Sequence, residues 1–176
     1  MSMVDPSSAM QSFQQELLNG RMRLQRGQID PNLFLHVDTV VGERRLTYVR
    51  LEDKTVTALV MFVLSEPVER TACFGIGYAV PETYRNQGRA KEIIKAAIAE
   101  LQHGLGRNGR FEFYVEAIIG AVNVASQRVA EQIISKRPVS VTDQHTGLPA
   151  SSTYARSNRS RDDEQSQSHG VSDTDP

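Results

Sequence analysis

The segment with the clearest chemistry is Arg85-Asn86-Gln87-Gly88-Arg89-Ala90. It sits where a strand pattern gives way to a helical one. A glycine-containing loop at such a junction suits a diphosphate, because the free N–H groups of the first helical turn point at the anion and the helix dipole adds about half a positive charge. Gly88 lets the backbone approach without a Cβ, Ala90 keeps the next turn small, and Arg85 and Arg89 can add charge at the rim. A plainer reading competes with this one, in which Asn86-Gln87-Gly88 is only a turn and the arginines form a solvated face. Other segments carry less. Gly104-Leu105-Gly106-Arg107-Asn108-Gly109 satisfies a dinucleotide glycine pattern, but it follows a helix and precedes a strand, the reverse of the order that fingerprint needs. No Gly-Lys-Ser/Thr run exists for a nucleotide-triphosphate loop. His36, His103, His145 and His169 are scattered without metal-ligand spacing, so no metal is expected. Cys73 is the single cysteine and has no evident basic neighbour to activate it.

The elements around that loop set its context. With 176 residues the chain is long enough for one domain and short for two. Its net charge of -1 provides no global field for nucleic acid or an anionic membrane. The lone cysteine and the absence of a leader or a long apolar run fit a cytoplasmic protein. Asp5-Pro6-Ser7-Ser8 reads as a helix start, with Ser8 and Gln11 as a capping box and a helix to about Arg26. Alternation over Leu33–Val37 and Leu46–Leu51 predicts a hairpin. Val56–Leu64 reads as a strand covered on both faces, ended by Ser65-Glu66-Pro67. Thr71–Val80 is a strand whose Gly75 and Gly77 call for a bulge or a close backbone approach. From Gly88, Ile93, Ile94, Ala97, Ile98 and Leu101 share one helical face, and the Gly104–Gly109 loop closes that helix. Phe111–Ile118 alternates as a strand, so strand, loop, helix and strand make a parallel βαβ unit. A helix over about Val122–Ile134 and weak strands at Val139–Val141 and Ser151–Tyr154 complete an α/β domain with a mixed sheet. Residues 156–176 hold one large apolar side chain, Val171, and are expected to be a disordered polar tail.

Gly77-Tyr78-Ala79-Val80-Pro81-Glu82-Thr83-Tyr84-Arg85-Asn86-Gln87-Gly88-Arg89-Ala90 resembles the coenzyme-binding motif of GNAT N-acetyltransferases, whose core is Arg or Gln, two residues, Gly, one residue, and Gly or Ala. Val115-Glu116-Ala117 and Asn123–Glu131 are similar to the second motif of the branch that includes bacterial ribosomal-protein N-terminal acetyltransferases. The resemblance implies one domain over residues 1–155, with helices on both faces of a mixed sheet splayed at the cofactor site. The glycine-bearing strand would carry a bulge and diverge from the Phe111–Ile118 strand. Acetyl-CoA would lie between them as cosubstrate, held by Tyr78, Ala79, Val80, the loop Arg85, Asn86, Gln87, Gly88, Arg89 and Ala90, and Asn123. The implied reaction is direct attack by a primary amine on the thioester in a ternary complex. A lysine-type amine has a pKa near 10, so a proton acceptor is needed. Glu116 is the first candidate base, with Glu82 or an ordered water as others. A backbone N–H near Ile76–Ala79 would stabilise the oxyanion. Ser126 matches the position proposed in this branch to protonate the leaving thiolate.

Each assignment has a structural counterpart: Glu116 as a surface carboxylate, Asn123 as a helix cap, Ser126 facing solvent. The chain also departs from the family pattern. The tyrosine that many members place seven residues after the asparagine is Ala130 here, which leaves the acid role to Ser126 or to a tyrosine from elsewhere such as Tyr154. A domain that binds an acyl-CoA without turning it over, as a sensor or interaction module, is therefore the alternative. The acceptor is a protein or peptide N-terminus or a small amine, with neither nucleic acid nor membrane as partner, and homodimers are common in the family.

Overall fold

The computed structural model describes residues 5–143 and 146–158. Among these, the sheet has eight strands in the order β1-β2-β3-β4-β5-β6-β8-β7, with β1 at Gln25–Arg26, β2 at Leu33–Val40, β3 at Glu43–Glu52, β4 at Thr55–Val68, β5 at Thr71–Ala79, β6 at Glu112–Gly120, β7 at Val139–Thr142 and β8 at Pro149–Asn158. Every neighbouring pair is antiparallel except β5 and β6. Helix α1 (Pro6–Leu18) covers one face; α2 (Arg89–Gly106) and α3 (Val124–Ile133) cover the other.

Strand β4 is the wall between two cores. Ala58, Val60 and Phe62 point to the α2–α3 side, while Val56, Leu59 and Met61 meet Met10 and Phe13 of α1. Thr57 is the residue that breaks the alternation. Pairing slips by one between Leu51↔Val56 and Arg50↔Ala58, so Thr57 bulges, and without that slip Val56 would face the wrong core. The strand also runs on through Ser65-Glu66-Pro67 to Val68, with an irregular register between Ser65 and Val68 that accommodates the proline. Opposite Gly75 and Gly77 the register with β4 is continuous, so the expected bulge is absent there.

The helix boundaries differ from expectation for local reasons. Asp5, rather than Ser8, caps α1: its Oδ2 accepts both the amide and the hydroxyl of Ser8 at 2.9 Å, and Pro6 takes the first helical position. The helix ends at Leu18, and Leu24 instead packs from the following segment. Gly104 and Gly106 lie inside the last turns of α2, and Gly109, at φ 72°, makes the turn into β6. Strand β8 extends to Asn158, three residues into the segment expected to be disordered; 159–176 lies outside the described residues.

One buried carboxylate ties the two halves together. Glu100 of α2 is 6% exposed and accepts the amides of Gln28, Ile29 and Asp30 at 2.9, 2.7 and 2.8 Å. Gly27 permits this approach, since a Cβ there would stand 2.5 Å from Glu100 Oε1 and 2.3 Å from the Asp30 carbonyl. Asp30 in turn binds the Arg50 guanidinium, which holds its carboxyl below the usual carboxylate range. Glu100→Ala leaves three amides without their charged acceptor and is expected to cost about 3 kcal/mol in urea unfolding, with Glu100→Gln intermediate.

Candidate active site

Strands β5 and β6 pair over only Cys73↔Tyr114, Phe74↔Val115 and Gly75↔Glu116, after which they diverge. The gap opens into a cleft of about 1230 Å³. Its walls come from β5 (Gly75 to Ala79, then Val80), the end of β6 from Glu116 and Ile118 onward, and the start of α3. The α2 loop closes one end.

At that loop Asn86 and Gly88 both adopt left-handed backbone, with φ 59° and 78°. Gly88 is the N-cap of α2 and supplies no side chain to it. The first intrahelical bond runs from Glu92 N to Gly88 O at 3.1 Å, so the amides of Arg89, Ala90 and Lys91 have no helical partner. Arg85, Asn86, Gly88, Arg89 and Ala90 all line the cleft. Gln87 does not: its amide group holds the loop, donating to Thr83 O and accepting from Arg89 Nε. Arg89 is similarly engaged, stacked on Tyr84 at 4.6 Å and paired with Glu52 at 2.7 Å. Arg85 donates to the Val80 carbonyl at 3.2 Å. Sequence reasoning missed Lys91 and Arg128, which line the same cleft and make no ion pair among the described residues. The signal was present: Lys91 lies in the first turn of α2, and Arg128 one turn beyond the α3 cap.

The other wall brings Asn123 and Ser126 together. Asn123 caps α3 through Oδ1, which accepts the Ser126 amide at 3.1 Å, and both residues line the cleft. The Ser126 carbonyl accepts the Tyr78 hydroxyl at 2.6 Å across the gap. Burial pushes the Tyr78 phenol up to about 12, with the Ser126 contact opposing. Ala130 is buried in the core, so that position offers no protic group.

Glu116 lies at the point where the strands part and lines the cleft. Its Oε1 accepts the Ser152 hydroxyl at 3.0 Å. Tyr154 is its ladder partner on β8, and burial first, then this carboxylate, raises the Tyr154 phenol's pKa. Among the described residues no cluster of His, Cys, Asp and Glu could hold a metal, and no helix is long and apolar enough to cross a membrane.

A sequence profile of the acetyltransferase (GNAT) family matches residues 13–133, more than half of the chain. The protein belongs to that family and is an N-acetyltransferase. Solved structures similar to it include a GNAT acetyltransferase from Streptococcus pneumoniae, at 11% identity over 65% of this chain and 67% of that one, with a TM-score of 0.49. Another is the NatC complex bound to Gag peptide and CoA, at 20% identity, 62% and 69% coverage, and a TM-score of 0.48. A third is the Salmonella typhimurium acetyltransferase that modifies the N-terminal serine of ribosomal protein L7/L12, at 18% identity, 66% and 64% coverage, and a TM-score of 0.44. No curated protein matches the sequence.

Cys73 stands beside this site without taking part in it. It is fully buried, and burial, with the Glu116 charge second, pushes its thiol up to about 11. At pH 8 about one molecule in a thousand carries the thiolate, so a disulfide reagent should modify the native protein at least about 100-fold more slowly than the urea-unfolded chain.

Proposed function

We propose that the protein transfers the acetyl group of acetyl-CoA to a primary amine, by direct attack with both substrates bound. The observation that carries this reading is the parting of β5 and β6 beyond Gly75 and Glu116, which leaves strand backbone facing a cleft instead of a neighbour. The residues present fit the donor. Unpaired amides at Arg89, Ala90 and Lys91, with Arg85 and Arg128, suit its phosphates, and the space between the strands suits an extended amide-bearing arm. Backbone groups of Tyr78, Ala79 and Val80 would bind that arm, helped by the Asn123 amide nitrogen, since Asn123 Oδ1 is already engaged by the helix. When bound, the donor supplies an acetyl group activated as a thioester.

The chain's own groups do the rest. Glu116 accepts a proton from the amine, and the Ser152 hydroxyl fixes the carboxylate in place. An N–H of β5 near Ile76–Ala79 stabilises negative charge developing on the acetyl oxygen. Ser126 lines the cleft, and its hydroxyl would stand on the leaving-group side in this reading. The sequence resemblance to ribosomal-protein N-terminal acetyltransferases favours a protein or peptide N-terminus as acceptor over a small amine.

Calorimetry with acetyl-CoA, CoA and NAD tests the donor assignment. Wild type should bind the first two and not NAD. Gly88→Glu, which sets a carboxylate against the phosphates on a backbone at φ 78°, should weaken binding by at least about 100-fold. A folded wild type that binds neither would sink the reading. With peptides free at the N-terminus and small amines as acceptors, read by thiol release, Glu116→Gln should lower kcat by about 100-fold and leave CoA binding within about two-fold. Turnover that survives Glu116→Gln removes Glu116 from the mechanism.

A further inference from the structure

We propose that Tyr78 delivers the proton that the departing sulfur takes up. The inference rests on the acetyl-transfer reading above and assigns a step within it. Tyr78 lies three residues beyond the last β5–β6 pair, Gly75↔Glu116, so its ring stands where the strands have separated. The ring packs against the α2–α3 core, and the hydroxyl reaches across to the first turn of α3, 2.6 Å from the Ser126 carbonyl. Both residues line the cleft. The phenol therefore spans the gap between strand and helix at the cleft itself.

The hydroxyl's partner makes it free to move. Within α3 the Ser126 carbonyl is already positioned to accept the Ala130 amide, so the phenolic bond to it is supplementary. The hydroxyl can turn to a sulfur without leaving a buried acceptor unsatisfied. Burial keeps Tyr78 protonated across the working pH range, so it is available as a donor and unavailable as a base. Ser126, the other hydroxyl on this wall, is an aliphatic alcohol and a much weaker acid than a phenol. Tyr154 lies on β8 as the ladder partner of Glu116 at the apex, and Ala130 has no proton to give.

The step balances. The amine nitrogen bonds to the acetyl carbon, the carbon–sulfur bond breaks with its electron pair going to sulfur, and sulfur takes the phenolic hydrogen. Glu116 holds the proton lost by the amine, and exchange with solvent returns the phenolate and Glu116 to their starting states.

The test is a binding cycle that needs no acceptor: CoA and desulfo-CoA, titrated into wild type, Tyr78→Phe and Ser126→Ala. Wild type should prefer CoA by about five-fold, because only CoA offers sulfur to the hydroxyl. Tyr78→Phe should bind both equally, and Ser126→Ala should keep the preference. A preference that persists in Tyr78→Phe, or that only Ser126→Ala removes, overturns the assignment. A wild type that binds neither ligand sinks the donor reading instead. Should Tyr78→Phe fail to fold, 3,5-difluorotyrosine placed at position 78 keeps the shape and sharpens the acid. It should raise the preference by about two-fold, and no change would overturn the proposal. With an acceptor found by the screen above, Tyr78→Phe should lower kcat by about 100-fold and leave KM for acetyl-CoA within about two-fold. A residue that only braces the cleft would give the opposite split, with KM raised and kcat kept.

Discussion

A sheet normally satisfies the backbone of each inner strand from both sides, and β5 gives up that arrangement after three ladder pairs. From Ile76 onward its second edge has no strand beside it, although the strand is inside the sheet and not at its margin. The cleft and its lining follow from that one interruption. The gap gives a ligand main-chain partners, places Glu116 at its apex, and brings the first turns of α2 and α3 to its margins. Pairing of β5 with β4 on the other side stays continuous, from Leu59↔Ala79 to Ser65↔Cys73, while its other partner leaves.

The gap is chemically uneven. The α2 end carries the first-turn amides with Arg85 and Lys91, α3 adds Arg128 from the other wall, and at the apex stands a carboxylate held by the Ser152 hydroxyl. Tyr78 is the feature that joins wall to wall.

Much of the fold was legible because it is written in short-range periodicity. The α2 face, the β2–β3 hairpin and the buried run of β4 follow from spacing alone. The misses have local causes. Leu24 continues the apolar spacing of α1, but the chain turns at Asn19 and Gly20 and the residue packs from outside the helix. Gly104 and Gly106 look like helix breakers, yet the helix passes through the first and ends only at the second, because neither takes the left-handed conformation that Gly109 does. In the site, the cleft-lining loop Arg85–Ala90 was readable as a contiguous segment. Gln87 and Arg89 belonged to that segment but bind within it or to Glu52, a residue 37 positions away from Arg89. Tyr78 with Ser126, and Ser152 with Glu116, are separated by 48 and 36 residues, and no local pattern encodes such pairs.

The clamp at Glu100 gives α2 a mechanical character. From Gly88 to Glu100 the helix rises about 18 Å, with the unpartnered first-turn amides at one end and three loop amides gripped by a carboxylate toward the other. A helix behaves over that distance as a stiff rod. The segment joining α1 to β2 and the mouth of the cleft therefore share one lever: a side chain forced in at Gly27 would displace Glu100 and tilt the first-turn amides that line the cleft.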